Sequence, residues 1–90
     1  MTDHSAAYMK AAGMVADEVI LAREKYGLLA STHEALGVLW EEVHELVESV
    51  RSGTAEDVAR EASQVSAVAL LLASQCLDGE DVAFRERSGL

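Results

Sequence analysis

Residues Ser31–Val50 read STHEALGVLWEEVHELVESV, and their reading decides the fold. Leu36, Leu39, Val43, Leu46, Val47 and Val50 recur mostly at steps of three and four, which gathers them on one face of an α-helix at about 100° per residue. Glu34, Glu41 and Glu45 point the other way. Ser31 with Glu34 three residues on predicts a capping box, in which hydroxyl and carboxylate satisfy each other's free backbone donors. Gly53 predicts the stop. Downstream, Thr54 and Asp57 repeat the capping pattern and predict a helix to about Leu77, before Asp78-Gly79. Upstream, Tyr8, Ala12, Val15, Val19, Ala22 and Tyr26 alternate steps of four and three, the signature of a narrow apolar seam. That helix is predicted from about Asp3 to Tyr26, with Gly27 after it.

Short connections between long helices favour antiparallel neighbours. The expected fold is a single all-α domain over residues 1–90: an antiparallel bundle of three long helices with a short C-terminal helix or tail around Val82 and Phe84. A chain of 90 residues buries a modest core, so dimerisation is expected to complete it.

Composition narrows the function. Sixteen acidic against seven basic residues give a formal charge of −9, which disfavours nucleic acid and anionic membrane surfaces as partners. An anionic substrate would need a cation to bridge it. Cys76 is the single cysteine, so no disulfide forms within the chain. The N-terminal MTDHSAAYMK lacks the basic start and apolar run of an export signal, and the apolar stretch 65–73 is too short to span a bilayer. These features predict a cytoplasmic protein.

Two pairs of side chains carry the candidate chemistry. Glu42 and Glu45 stand three apart on the second helix, and Glu61 and Gln64 three apart on the third. On the third helix Val58, Val65, Val68 and Leu72 define the apolar stripe; Glu61 projects from its middle and Gln64 lies at its edge. A carboxylate there takes up a proton, finds a cation or pairs with an arginine such as Arg23 or Arg60. Glu42 borders the apolar face of its helix, and Glu45 lies about 60° further towards solvent. His44 points away from both glutamates and His33 sits in a first turn, so solvated roles are expected for each. Trp40 flanks the apolar face as a core or dimer-interface residue, and Cys76 reads as a small buried hydrophobe.

The pattern Glu42-Val43-His44-Glu45 followed by Glu61-Ala62-Ser63-Gln64 resembles the paired Glu-x-x-Glu and Glu-x-x-Asp motifs of the MazG-like all-α nucleoside triphosphate pyrophosphohydrolases. The resemblance covers Thr32 to about Gly79, and KYGLLASTHEALGVLWEEVHELVESV with EASQVSAVAL looks like the short phage and actinobacterial type. It implies that Glu42, Glu45 and Glu61 coordinate Mg²⁺, which Mn²⁺ can replace, with Gln64 in the place of the fourth carboxylate. It further implies a nucleotide substrate cleaved between the α- and β-phosphates to a monophosphate and pyrophosphate. Glu41 becomes the candidate for orienting or deprotonating the water, and Lys25 the candidate for binding phosphate. Gln64 is a neutral ligand, which binds a hard cation less strongly than a carboxylate and leaves less charge for a second ion.

Other readings share these residues. A phosphoribosyl-ATP pyrophosphohydrolase is built on a similar motif, but Ala35-Leu36-Gly37-Val38 is not the lysine- and glycine-rich segment expected before its first acidic pair. A catalytically silent nucleotide- or metal-binding module would follow from Gln64. A structural dimerisation protein would follow if the acids were solvated and Glu61 were paired with arginine.

Overall fold

A computed structural model describes residues 3–78, and these form three helices and no strand: α1 (Ser5–Tyr26), α2 (Thr32–Ser52) and α3 (Ala55–Leu77). The expected turn around Val82 and Phe84 lies outside the described residues. Each helix begins where a side chain can satisfy its free backbone donors. Asp3 accepts from the Ser5 backbone N–H at 2.9 Å, so α1 starts two residues later than its first capping residue. Ser31 accepts from the Glu34 N–H at 3.1 Å. The return half of that box differs from expectation, because Glu34 accepts from the Ala30 N–H at 2.8 Å and so ties down the incoming loop. Thr54 and Asp57 form the full reciprocal box at 3.0 and 3.1 Å.

The helix ends are equally local in cause. Gly27 takes φ +65°, a conformation that strains any residue with a Cβ, while its N–H donates to the Arg23 carbonyl. Gly53 serves another purpose: a Cβ there would lie 2.8 Å from the Ser49 carbonyl oxygen. Its absence lets α2 turn directly into α3.

Helix α3 lies between the other two, and α1 and α2 pack on it rather than on each other. The start of α3 lies beside the start of α1, where Glu56 and Ala59 line a groove with Ala7, Lys10 and Ala11. Its end packs near the start of α2, where Leu72 and Cys76 meet Leu29 and Ala35. Consecutive helices are therefore antiparallel. The loop between α1 and α2 is held by Gln75, whose side-chain oxygen accepts from the Leu29 N–H at 3.2 Å and whose nitrogen donates to the Leu29 carbonyl at 3.1 Å.

The apolar core is small: Leu29, Ala35, Ala67, Val68 and Leu71 are its buried residues. Two expectations are corrected here. On α2 the inward face is centred on Ala35 and Glu42, whereas Leu36, Val47 and Val50 are exposed. The reason is that the apolar arc of α2 is wider than one neighbouring helix can cover, and α3 presents the small Ser63 and Ala67 to its neighbours. On α1 the seam is half-buried from Val15 to Tyr26, but Tyr8 and Ala12 are exposed. No helix among the described residues is long and apolar enough to cross a membrane.

Candidate metal centre

Gly53 is the pivot that brings the two acidic pairs together. Glu45 and Glu61 stand eight residues to either side of it, and Glu42 and Gln64 eleven. In an antiparallel hairpin rising about 1.5 Å per residue, equal counts place side chains at equal heights. The two pairs therefore face each other across α2 and α3. This symmetry about one glycine is present in the sequence, and it is a sharper signal than the apolar phase of either helix.

One carboxylate oxygen from each of Glu42, Glu45 and Glu61 falls within 4.8 Å of the others. Glu42 is the buried member, at 7% exposure; Glu61 is half-buried and Glu45 exposed. The apolar stripes of the two helices predict Glu61 as the more enclosed, because the large apolar residues of α2 place Glu42 at the edge of its face; the structure reverses that order. Gln64 completes the quartet. With its amide nitrogen facing the carboxylates it donates to Glu61 Oε2 at 2.9 Å and to Glu42 Oε2 at 3.2 Å. The hydrogen-bond network sets this orientation, since the opposite one sets carbonyl against carboxylate oxygens.

The electrostatics follow from the crowding. Burial raises the Glu42 carboxyl above the ordinary glutamate value, the Glu45 charge raises it further, and the Tyr26 hydrogen bond and Lys25 charge draw it partly back. Burial likewise raises Glu61, with Glu45 adding to the effect and Arg60 opposing it. The ion pair of Arg60 is made with Asp57, at 2.9 Å. Two crowded carboxyls that resist ionisation, Glu42 and Glu61, with the Glu45 oxygens beside them, are a fitting donor set for a hard divalent cation. In an octahedral Mg²⁺ shell with bonds of 2.0–2.1 Å, ligand oxygens lie about 3–4 Å apart. The three carboxylates offer that oxygen chemistry, and with their oxygens within 4.8 Å of one another they stand just outside that spacing.

Beside the quartet is a cleft of 120 Å³, lined by Glu42, Glu45 and Gln64 from one side and by Leu21, Lys25 and Tyr26 of α1 from the other. The Lys25 ammonium lies 4.9 Å from the centre of the Tyr26 ring. Tyr26 is the main cause that raises this lysine above its ordinary value, and the charges of Glu42 and Glu45 add to it. Lys25 thus lines the cleft beside the acidic residues. Comparison with protein-family models, curated proteins and solved structures finds no match. The site is therefore read from its own geometry.

Two sequence candidates stand apart. Glu41 is exposed and does not line the cleft, and Trp40 is 66% exposed on the outer face of α2. Tyr26, by contrast, entered the sequence reading only as a seam residue. Its hydroxyl donates to Glu42 Oε1 at 3.2 Å, a contact between residues sixteen apart that no local pattern signals.

Proposed function

We propose that this protein is a Mg²⁺-dependent nucleotide pyrophosphohydrolase. The observation that carries the reading is the convergence of Glu42, Glu45 and Glu61 from two helices to within 4.8 Å, in the arrangement that the MazG-like resemblance implies. Glu42, Glu45 and Glu61 would hold the ion, with Gln64 beside them. Bound there, the cation supplies positive charge to a triphosphate and makes water a stronger acid. Lys25, across the cleft, neutralises phosphate oxygens that the acidic chain would otherwise repel. Water attacks the α-phosphorus, the bond between the α-phosphorus and the bridging oxygen breaks, and a monophosphate and pyrophosphate leave.

The cleft is small against the roughly 300–1,000 Å³ of ordinary ligand pockets, so it suits the phosphate end of the substrate. We infer that a second copy of the chain provides the remaining walls. Leu36, Trp40, Val47 and Val50 are exposed within an arc of about 80° on α2, and all five glutamates of that helix lie on the opposite half. Such an uncharged face lets two chains approach despite a charge of −9 each. A cytoplasmic location, among nucleotide pools, accompanies this reading.

The test is release of pyrophosphate from a panel of nucleoside triphosphates with Mg²⁺. Wild-type protein is expected to release it, and Glu42→Ala and Glu61→Ala are expected not to. No release above those controls would sink the enzymatic reading. Glu41 does not line the cleft, so Glu41→Gln tests the base role by itself: turnover retained in that variant would exclude it. A silent binding module is the second reading, favoured by the neutral Gln64; calorimetry that finds nucleotide binding without turnover would establish it.

A further inference from the structure

Glu42 is the most enclosed acid of the candidate centre, and two other side chains engage its two oxygens. Tyr26, the last residue of α1, donates to Oε1 at 3.2 Å. Gln64, on α3, faces Oε2 at the same distance. Tyr26 is itself held: it packs against the Leu29–Ala35 core cluster, and the Lys25 ammonium lies over its ring. Since the backbones of α1 and α2 make no close approach to each other, this hydroxyl is a side-chain link between them, beside the packing of the Tyr26 ring near Ala35.

We propose that Tyr26 is a positioning residue for the cation site, fixing the Glu42 carboxylate so that Oε2 is left on the side of Gln64 and Glu61. The inference rests on the cation-site reading given above. A carboxylate free to rotate would present either oxygen at varying angles, whereas one oxygen tethered by a hydroxyl leaves the other with a single direction. Outer-shell hydrogen bonds of this kind orient metal ligands, and their loss commonly weakens metal binding by about 10–100-fold. Lys25 and Tyr26 then act as a unit at the end of α1. One faces the phosphates and the other aims a ligand.

Tyr26→Phe removes the hydroxyl and keeps the ring that packs in the core. The probe is Mn²⁺ alone, titrated with free ion read by electron paramagnetic resonance, at a temperature where circular dichroism shows every chain helical. Wild-type protein is expected to bind Mn²⁺ and Tyr26→Phe to bind it about tenfold more weakly. Val38→Ala, a change in the same core that leaves Tyr26 intact, is expected to lower the melting temperature measured in EDTA and to leave Mn²⁺ affinity unchanged. Equal affinity of wild type and Tyr26→Phe would overturn the positioning role, as would an equal loss in Val38→Ala. Wild-type protein that binds no more Mn²⁺ than Glu42→Gln would remove the cation site and this inference together.

Discussion

Glu42 and Glu61 both have carboxyl groups raised above the ordinary value of 4.5, and the sign of the consequence is fixed by linkage. Between 4.5 and the raised values the folded chain binds protons that the unfolded chain does not, so these groups make the cation-free fold more stable as pH falls through that window. The melting temperature in EDTA is expected to rise as pH is lowered from 7 towards 4.5. Excess Mg²⁺, which needs the carboxylates ionised, is expected to raise the melting temperature at pH 7 and to lose that effect as pH falls towards 4.5. Asp57 works in the opposite direction: its carboxyl is lowered below 3.8 by the backbone N–H of Thr54, by Arg60 and by the Thr54 hydroxyl, so its contribution is lost only at pH below that value. A flat profile in EDTA between pH 7 and 4.5 would count against enclosed, crowded glutamates. Gln64→Asp is a second test at this scale. It deletes two hydrogen bonds to carboxylates and adds a like charge, so the variant is expected to melt lower in EDTA and bind Mg²⁺ more tightly. Unchanged affinity on calorimetry would mean that the quartet is not a metal site.

Among the elements, the α2–α3 hairpin sets the height at which the acidic pairs meet. Its turn depends on a missing side chain, since a Cβ on Gly53 would stand 2.8 Å from the Ser49 carbonyl oxygen that already accepts the Gly53 N–H. Gly53→Ala is expected to cost about 1–3 kcal/mol, the usual penalty of forcing atoms into a filled space, measured as a lower urea midpoint. Thr54→Ala, which removes a cap, is expected to cost about 1 kcal/mol. The Ser31 and Thr54 hydroxyl caps and the hairpin were legible in the sequence because each depends on residues close along the chain, whereas the bond of Glu34 to Ala30 was not. The face of α2 that turns inward was not legible. Leu36, Val47 and Val50 are larger and more apolar than Ala35, yet the inward place goes to Ala35, which is fully buried beside Leu29, Leu72 and Cys76.

At the scale of the whole molecule, the five buried apolar residues among the described ones, two of them alanines, make a slight core. The uncharged outer face of α2 is the area through which a second copy would add to it. Light scattering after gel filtration is expected to give twice the chain mass of 9.6 kDa for the wild type. Val47→Glu and Trp40→Glu place a charge in that face and are expected to shift the mass to that of one chain and to lower the melting temperature. A monomeric wild type would mean that the apolar arc of α2 serves another purpose.

The sequence by itself determined the three helices, the hydroxyl caps of Ser31 and Thr54 and the hairpin about Gly53, and pointed to the four residues of the candidate centre, because all of these follow from short-range spacing and from equal counts along two antiparallel helices. Only the tertiary structure decided which carboxylate is enclosed and what holds it. Burial of Glu42 depends on how α2 rolls against α3, and the Tyr26 hydrogen bond on where the end of α1 lands. Both are set by side-chain volumes from several helices at once, and no periodicity within one helix encodes them.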